Sequence, residues 1–207
     1  LADKETSLEF LQIILRQVNR MDAIIADLLS LASLERGQET RTIALEPTPL
    51  HKVLRAACEI CRRAAAEKEI RLEIDCPDEL VANVNAPLLE QAVVNLVDNA
   101  VKYSERGAVV YVDAAPDGPG ARIAVRDRGC GIAPQHLARL FERFYRVDRA
   151  RSRELGGTGL GLAIVKHIMT AHRGSATVES TVGRGSTFVL YLAPPLPAPA
   201  PAPEAQI

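Results

Sequence analysis

The chain has 207 residues, of which 47% are hydrophobic and 25% charged, with a formal net charge of −1. That is enough for one compact domain plus an appendage. The near-neutral charge excludes the basic surplus with which nucleic-acid binders engage phosphate backbones. No apolar run reaches membrane-spanning length, because Asp27 interrupts the best stretch, AIIADLLSLASL. There is no signal-peptide pattern, and Leu1 is not an initiator methionine, so the chain is expected to be a fragment or a processed form.

Residues 5–35 are predicted to form one long helix. Leu11, Leu15, Val18, Met21, Ile25, Leu28 and Ala32 step by fours and threes, which averages the coiled-coil repeat of about 3.5 residues. Ile14, Ile24 and Leu31 add a second apolar row. A helix apolar on more than one side needs more than one neighbour, so a bundle completed by another chain or segment is expected, with packing onto the globular part alone as the simpler alternative. Gly37 and the polar run QETR end this helix and suggest a hinge.

Beyond residue 41 the pattern alternates. TIALE reads as a strand, and Pro49 opens a helix over LHKVLRAACEICRRAAAEK. That helix carries Cys58 and Cys61 as a CxxC. The motif can be redox-active or half a zinc site, but no second pair follows, and two small side chains one turn apart is the preferred reading. With four cysteines in all, the thiols are expected to be reduced and the chain cytoplasmic. RLEID and LVANVN read as strands. Asn85 is placed as the N-cap, with Pro87 in the first turn, of a helix running to about Tyr103. VVYVDA and RIAVRD are strands joined by PDGPG. A long irregular stretch then precedes a helix from about Gly159 to Ala171, and SATVES and GSTFVLYL read as a closing hairpin. The whole is an α+β fold: a two-layer sandwich of a mixed sheet with helices on one face. Residues 194–207, PPLPAPAPAPEAQI, form a Pro/Ala tail expected to be extended and disordered.

Four blocks carry the chemistry. In NLVDNAVKY, Asn95, Asn99 and Lys102 fall at i, i+4 and i+7, one stripe of two amides and an ammonium. Such a stripe is either a solvated face or a binding wall. Asparagine is a poor helix former, amide oxygens suit a hard cation such as magnesium, and lysine neutralises phosphate as a point charge. DRGCGI, residues 127–132, follows a strand. Asp127 can accept from an exocyclic amine, and Gly129 and Gly131 let the backbone turn tightly. LFERFYR, residues 140–146, concentrates Phe141, Phe144 and Tyr145, with Arg143 and Arg146 available to phosphate. VDRARSREL, residues 147–155, has the layout of a lid between anchored ends. GGTGLGL, residues 156–162, has four glycines in seven residues before an apolar helix, whose N-terminus offers free N–H groups to an anion. It matches neither a P-loop nor GxGxxG.

The order of these blocks resembles the ATP-binding domain of sensor histidine kinases, in the superfamily shared with gyrase B, MutL and the ninety-kilodalton heat-shock chaperones. NLVDNAVKYS is similar to the N box, DRGCGI to the G1 box, LFERFYRVD to the F box and GGTGLGLAIV to the G2 box. The resemblance spans residues 41–193 and implies a Bergerat-type ATP-binding fold. Residues 1–37 resemble the second helix of the dimerisation and phosphotransfer domain of the same kinases. By that resemblance Asn99 with Asn95 holds magnesium, Lys102 contacts phosphate, and Tyr103 lines the nucleotide. Asp127 accepts from the adenine amino group with Gly129 and Gly131 close by. Arg146 reaches the phosphates, and the backbone of Gly157, Thr158, Gly159, Leu160 and Gly161 wraps the triphosphate. The implied ligands are ATP and magnesium. The implied partners are a second copy, through the N-terminal helix, and the receiver domain of a response regulator. Membrane attachment belongs upstream.

The sequence departs from the family in one respect. The acceptor-histidine motif, of the type SHELRTP, is absent, and His51, His136, His167 and His172 all read as ordinary surface or partly buried histidines. The chain alone is therefore expected not to phosphorylate itself. The water-using ATPases of the superfamily carry glutamate as ExxxN. Asn95 stands at that position and cannot act as a base, so hydrolysis is expected to be slow. A nucleotide-binding regulatory module without phosphotransfer is the alternative.

Overall fold

The computed structural model describes residues 11, 14, 15, 17, 18, 21–29, 31, 32, 43–148 and 157–194. Two long helices form where the sequence supplies apolar residues every three or four positions. Helix α1, Leu50–Glu67, starts directly after Pro49 and buries Leu50, Val53, Leu54, Ala57, Cys58, Cys61 and Ala65. Helix α2, Ala86–Tyr103, buries Leu89, Ala92, Val93, Leu96, Val97, Ala100 and Val101. The side chain of Asn85 caps it by accepting from the Leu88 N–H at 3.2 Å, and Pro87 needs no partner for its missing N–H in the first turn. A single turn, α3 (Pro134–Leu137), follows. Helix α4, Gly161–Ala171, buries Ala163, Ile164, Val165, Ile168 and Met169; it starts two residues later than the sequence pattern suggested.

The strands are β1 (Glu46–Pro49), β2 (Arg71–Asp75), β3 (Val81–Val84), β4 (Val109–Asp117), β5 (Gly120–Arg126), β6 (Ser175–Thr181) and β7 (Gly185–Leu192). Five of them make one sheet in the order β2-β4-β5-β7-β6, and β1 and β3 pair separately. The β2–β4 pair is parallel and the others antiparallel, so the sheet is mixed. Register aligns Val112, Val125, Phe188 and Val178 in one row across it. Strand side chains alternate between faces. Val110, Val112 and Ala114 of β4 are buried on the face that α1, α2 and α4 cover. On the other face Asp113 lies 3.7 Å from both Arg122 and Arg126. One face apolar and helix-covered, the other charged, is the α+β two-layer sandwich that the alternating pattern implied. The expected first strand, TIALE, is displaced: β1 is EPTP, and Ile43–Leu45 have no regular structure.

Two interactions clamp α2 from outside. At its start, buried His172 accepts the Asn85 N–H at Nε2 (2.9 Å) and donates from Nδ1 to the Ile168 carbonyl (2.8 Å), tying the end of α4 to the cap of α2. At its end, Lys68 Nζ donates to the carbonyls of Val101 (2.9 Å), Lys102 (2.7 Å) and Ser104 (3.4 Å). A cation at a helix C-terminus satisfies orphan carbonyls and complements the dipole.

The described residues between 11 and 32 are helical. Leu31 is 2% exposed and joins the main core, whereas Leu11, Ile14, Leu15, Val18, Met21, Ile25, Leu28 and Leu29 are 42–62% exposed. The expected hinge at Gly37, residues 149–155 of the expected lid, Gly156 and the tail beyond Pro194 lie outside the described residues. Among the described residues no helix is long and apolar enough to cross a membrane. Cys58 and Cys61 are free and buried against α2, and burial pushes their thiols up to about 11 and about 12.

Candidate functional site

Helix α2 presents its polar stripe to a cleft of about 390 Å³ that opens above the sheet. Asn95, Asn99, Lys102 and Tyr103 all line it, so the stripe is a wall rather than a solvated face. Asp98 lines it too, and Lys102 Nζ sits 2.6 Å from the Asp98 carboxylate, one helical turn away. The ammonium is therefore held in place, half-buried, before any anion arrives.

The floor is built by Asp127, 6% exposed at the end of β5. Its Oδ1 accepts the Gly129 N–H at 2.7 Å and the Ser186 N–H at 3.3 Å. Burial raises its pKa and these two backbone donors oppose the shift. Both donors converge on Oδ1, so Oδ2 is the oxygen left for the cleft. Gly131 turns with φ +66°, and a Cβ there would fall 2.0 Å from the Thr181 carbonyl. Only glycine meets both demands, and the turn brings Cys130, Gly131 and Ile132 to the rim.

The far wall is the glycine-rich segment before α4. Gly157, Thr158, Gly159 and Gly161 line the cleft. Gly159 takes φ +78° and its carbonyl accepts the Phe144 N–H at 2.8 Å, which fastens the LFERFYR segment to the loop. Gly161 lies so close to α2 that a Cβ would sit 3.1 Å from Asn95 Oδ1. Thr158 Oγ1 accepts the Leu160 N–H at 3.2 Å and donates to Asp27 Oδ2 at 2.7 Å. Asp27, from the N-terminal helix, thus lines the same cleft. Burial raises its pKa; the Thr158 bond and the Lys102 charge oppose this.

Of the residues singled out in the sequence, Asn95, Asn99, Lys102, Tyr103, Asp127, Gly131, Arg146, Gly157, Thr158, Gly159 and Gly161 meet around this one cleft. Two do not line it. Leu160 is fully buried, its side chain part of the core. Gly129 serves from behind: its N–H holds Asp127, and a Cβ there would strike the Tyr103 carbonyl at 2.5 Å. The lining residues that sequence reasoning missed are chiefly Asp27, Asp98, Cys130 and Ser186. Asp98 carries a signal, an i,i+4 pairing with Lys102 on the same stripe. Asp27 and Ser186 reach the cleft only through tertiary packing.

A family model described as the histidine kinase-, DNA gyrase B- and HSP90-like ATPase matches residues 84–196, and the chain belongs to that family of ATP-binding domains. The sensor-like histidine kinase SenX3 of Mycobacterium tuberculosis is 40% identical over 198 residues, covering 92% of this chain and 46% of SenX3. The phosphate regulon sensor protein PhoR of Pseudomonas aeruginosa is 37% identical over 187 residues, covering 90% of this chain and 42% of PhoR. The chain therefore spans about half the length of the curated relatives it matches. Among solved structures, a mycobacterial sensor histidine kinase, MprB, superposes with a TM-score of 0.63 at 31% identity, covering 72% of this chain and 96% of that one. Fold and relatives agree on an ATP-binding domain of the kind found in sensor histidine kinases.

Proposed function

We propose that the cleft binds ATP with magnesium and delivers the γ-phosphoryl to a histidine on a helix outside this chain, for relay to the receiver domain of a response regulator. The observation that carries this reading is the convergence, in one cleft, of a buried carboxylate at the floor, an amide-and-ammonium wall and a glycine-lined helix N-terminus. Asp127 Oδ2 accepts from the adenine amine. Tyr103 and Ile132 flank the base. Lys102, Arg146 and the N–H groups opening α4 take the phosphates, where fixed donors and charges stabilise a phosphoryl in transfer.

The donor set fits magnesium. Among the described residues no cluster of three His, Cys, Asp or Glu could hold a resident metal. Two neutral amides on one helical stripe suit an ion that keeps its waters and shares the phosphates. Asn95 and Asn99 would hold it, and bound there it neutralises phosphate charge. Asn95 supplies no base to activate water, so water competes poorly with an imidazole nucleophile. The exposed apolar face of the N-terminal helix supports pairing with a second copy. Membrane attachment belongs to segments upstream and the cleft to the cytoplasmic side.

The test is to mix the chain with a protein carrying the cognate acceptor helix and γ-labelled ATP. Acid-labile label on the acceptor is expected. Nucleotide binding without label transfer would favour a regulatory module.

A further inference from the structure

The N-terminal helix contributes Ala23 and Asp27 to the cleft, and the reading above leaves the carboxylate without a role. Among the described residues, Asp27 is the acidic residue of that helix that lines the cleft. Its carboxylate holds the hydroxyl of Thr158, in the loop that opens α4. It feels the charges of both Lys102 and Asp98. A helix N-terminus and a nearby ammonium are where an anion is most stable, and in this structure the anion beside them is Asp27. The carboxylate thus stands beside Thr158 and Lys102, the residues that the reading above gives to the phosphates of a bound nucleotide.

We propose that Asp27 determines how the cleft discriminates among adenine nucleotides by phosphate charge, latching the N-terminal helix to Thr158 until a polyphosphate displaces it. The inference rests on the nucleotide reading of the cleft. Two anions compete for Thr158 Oγ1 and for the field of Lys102. Adenosine brings no charge to that end and leaves the latch closed. A nucleoside diphosphate meets partial repulsion, and a triphosphate meets the most. The Asp27–Thr158 bond lies one turn from Leu31, which is packed on the core, whereas Ile25, Leu28 and Leu29 are exposed. Binding of a triphosphate and release of the helix are then one linked event, and linkage makes the effect reciprocal.

The experiment measures affinities of adenosine, ADP and ATP, each with magnesium and with chelator, for the full chain and for Asp27→Asn and Asp27→Ala. Thermal melts confirm that each is folded. Removing one unit charge beside the phosphate end, in partly screened surroundings, should tighten ATP roughly tenfold. ADP should tighten less and adenosine should stay within about twofold. Hydrogen exchange supplies the second readout. ATP, but not adenosine, should reduce protection of residues 21–32 in the wild type, and should change it little in Asp27→Asn, where the helix is already loosened. Unchanged ATP-to-adenosine ratios in both variants would overturn the proposal. So would a loss of ATP affinity seen only with magnesium, which would make Asp27 a partner of the metal. If folded wild-type chain binds no adenine ligand at all, the nucleotide reading fails first and the latch with it.

Discussion

Replacing Asp127 by asparagine should weaken ATP while sparing ligands that lack an adenine amine. The size of the effect follows from how the carboxylate is held. Oδ1 accepts the N–H groups of Gly129 and Ser186. An asparagine at this position keeps its carbonyl oxygen there, since the flipped orientation would set its NH2 against two N–H donors. The NH2 group must then face the cleft where Oδ2 now stands, donor against donor with the adenine amine. The loss is one hydrogen bond to a charged acceptor, about 1.5–3 kcal/mol, or roughly 10- to 150-fold in affinity at 1.4 kcal/mol per decade. GTP, which offers a carbonyl at that position, should lose less than ATP or gain. Tripolyphosphate should not respond. Calorimetric titration of the three ligands, with a melt of the free protein as the folding control, makes the comparison. A parallel loss for all three in a stably folded variant would remove Asp127 from the base pocket.

Three further outcomes are expected. Burial lowers the His172 pKa, with the Ile168 hydrogen bond opposing, so the unfolded chain binds more protons than the folded one just below about pH 6.5. The stability it contributes is present above that pH and falls as the pH drops toward the folded value; a melt series should show this acid loss in the wild type and a smaller one in His172→Gln. Maleimide near neutral pH should label exposed Cys130 quickly and Cys58 and Cys61, held at about 11 and about 12, very slowly. ATP should slow Cys130, which lines the cleft, and leave Cys76 unaffected; peptide mapping reads both, and equal slowing of both thiols would count against the cleft. Glutamates at Ile25 and Leu28, both exposed in the single chain, should give a monomer in sedimentation that still binds ATP.

Much of this was legible because short-range rules decide it. The cap at Asn85, the proline in the first turn and the apolar spacing set the bounds of α2 locally, and the asparagine stripe comes with the helix. The first strand was not legible. TIALE has better alternation than EPTP, but β1 is chosen by pairing with β3, Glu46 against Val84 through Pro49 against Val81, a contact between segments far apart in sequence. Leu160 illustrates a different limit. Its place in the glycine motif suggested the ligand, while its apolar side chain obeys burial and only its backbone neighbours reach the cleft. Asp27 was legible only as an interruption of an apolar run. Nothing local says that the interruption lands on Thr158.

The two walls of the cleft are secured by different means, and that difference has a functional consequence. Helix α2 is clamped at its start by Asn85 and His172 and at its end by Lys68, so Asn95, Asn99 and Lys102 stand on a support with fixed ends. Fixed donors stabilise a phosphoryl group without reorganising at the moment of transfer. Among the described residues, the opposite wall is held at Gly159 by a backbone bond from Phe144 and at Thr158 by a carboxylate from a separate helix. A single hydrogen bond contributes about 0.5–1.5 kcal/mol net, up to about 3 when one partner is charged, within reach of what an arriving polyphosphate can displace. Nucleotide charge is therefore felt first at the glycine-lined wall, and through Asp27 it is felt by the helix on which partner chains would assemble.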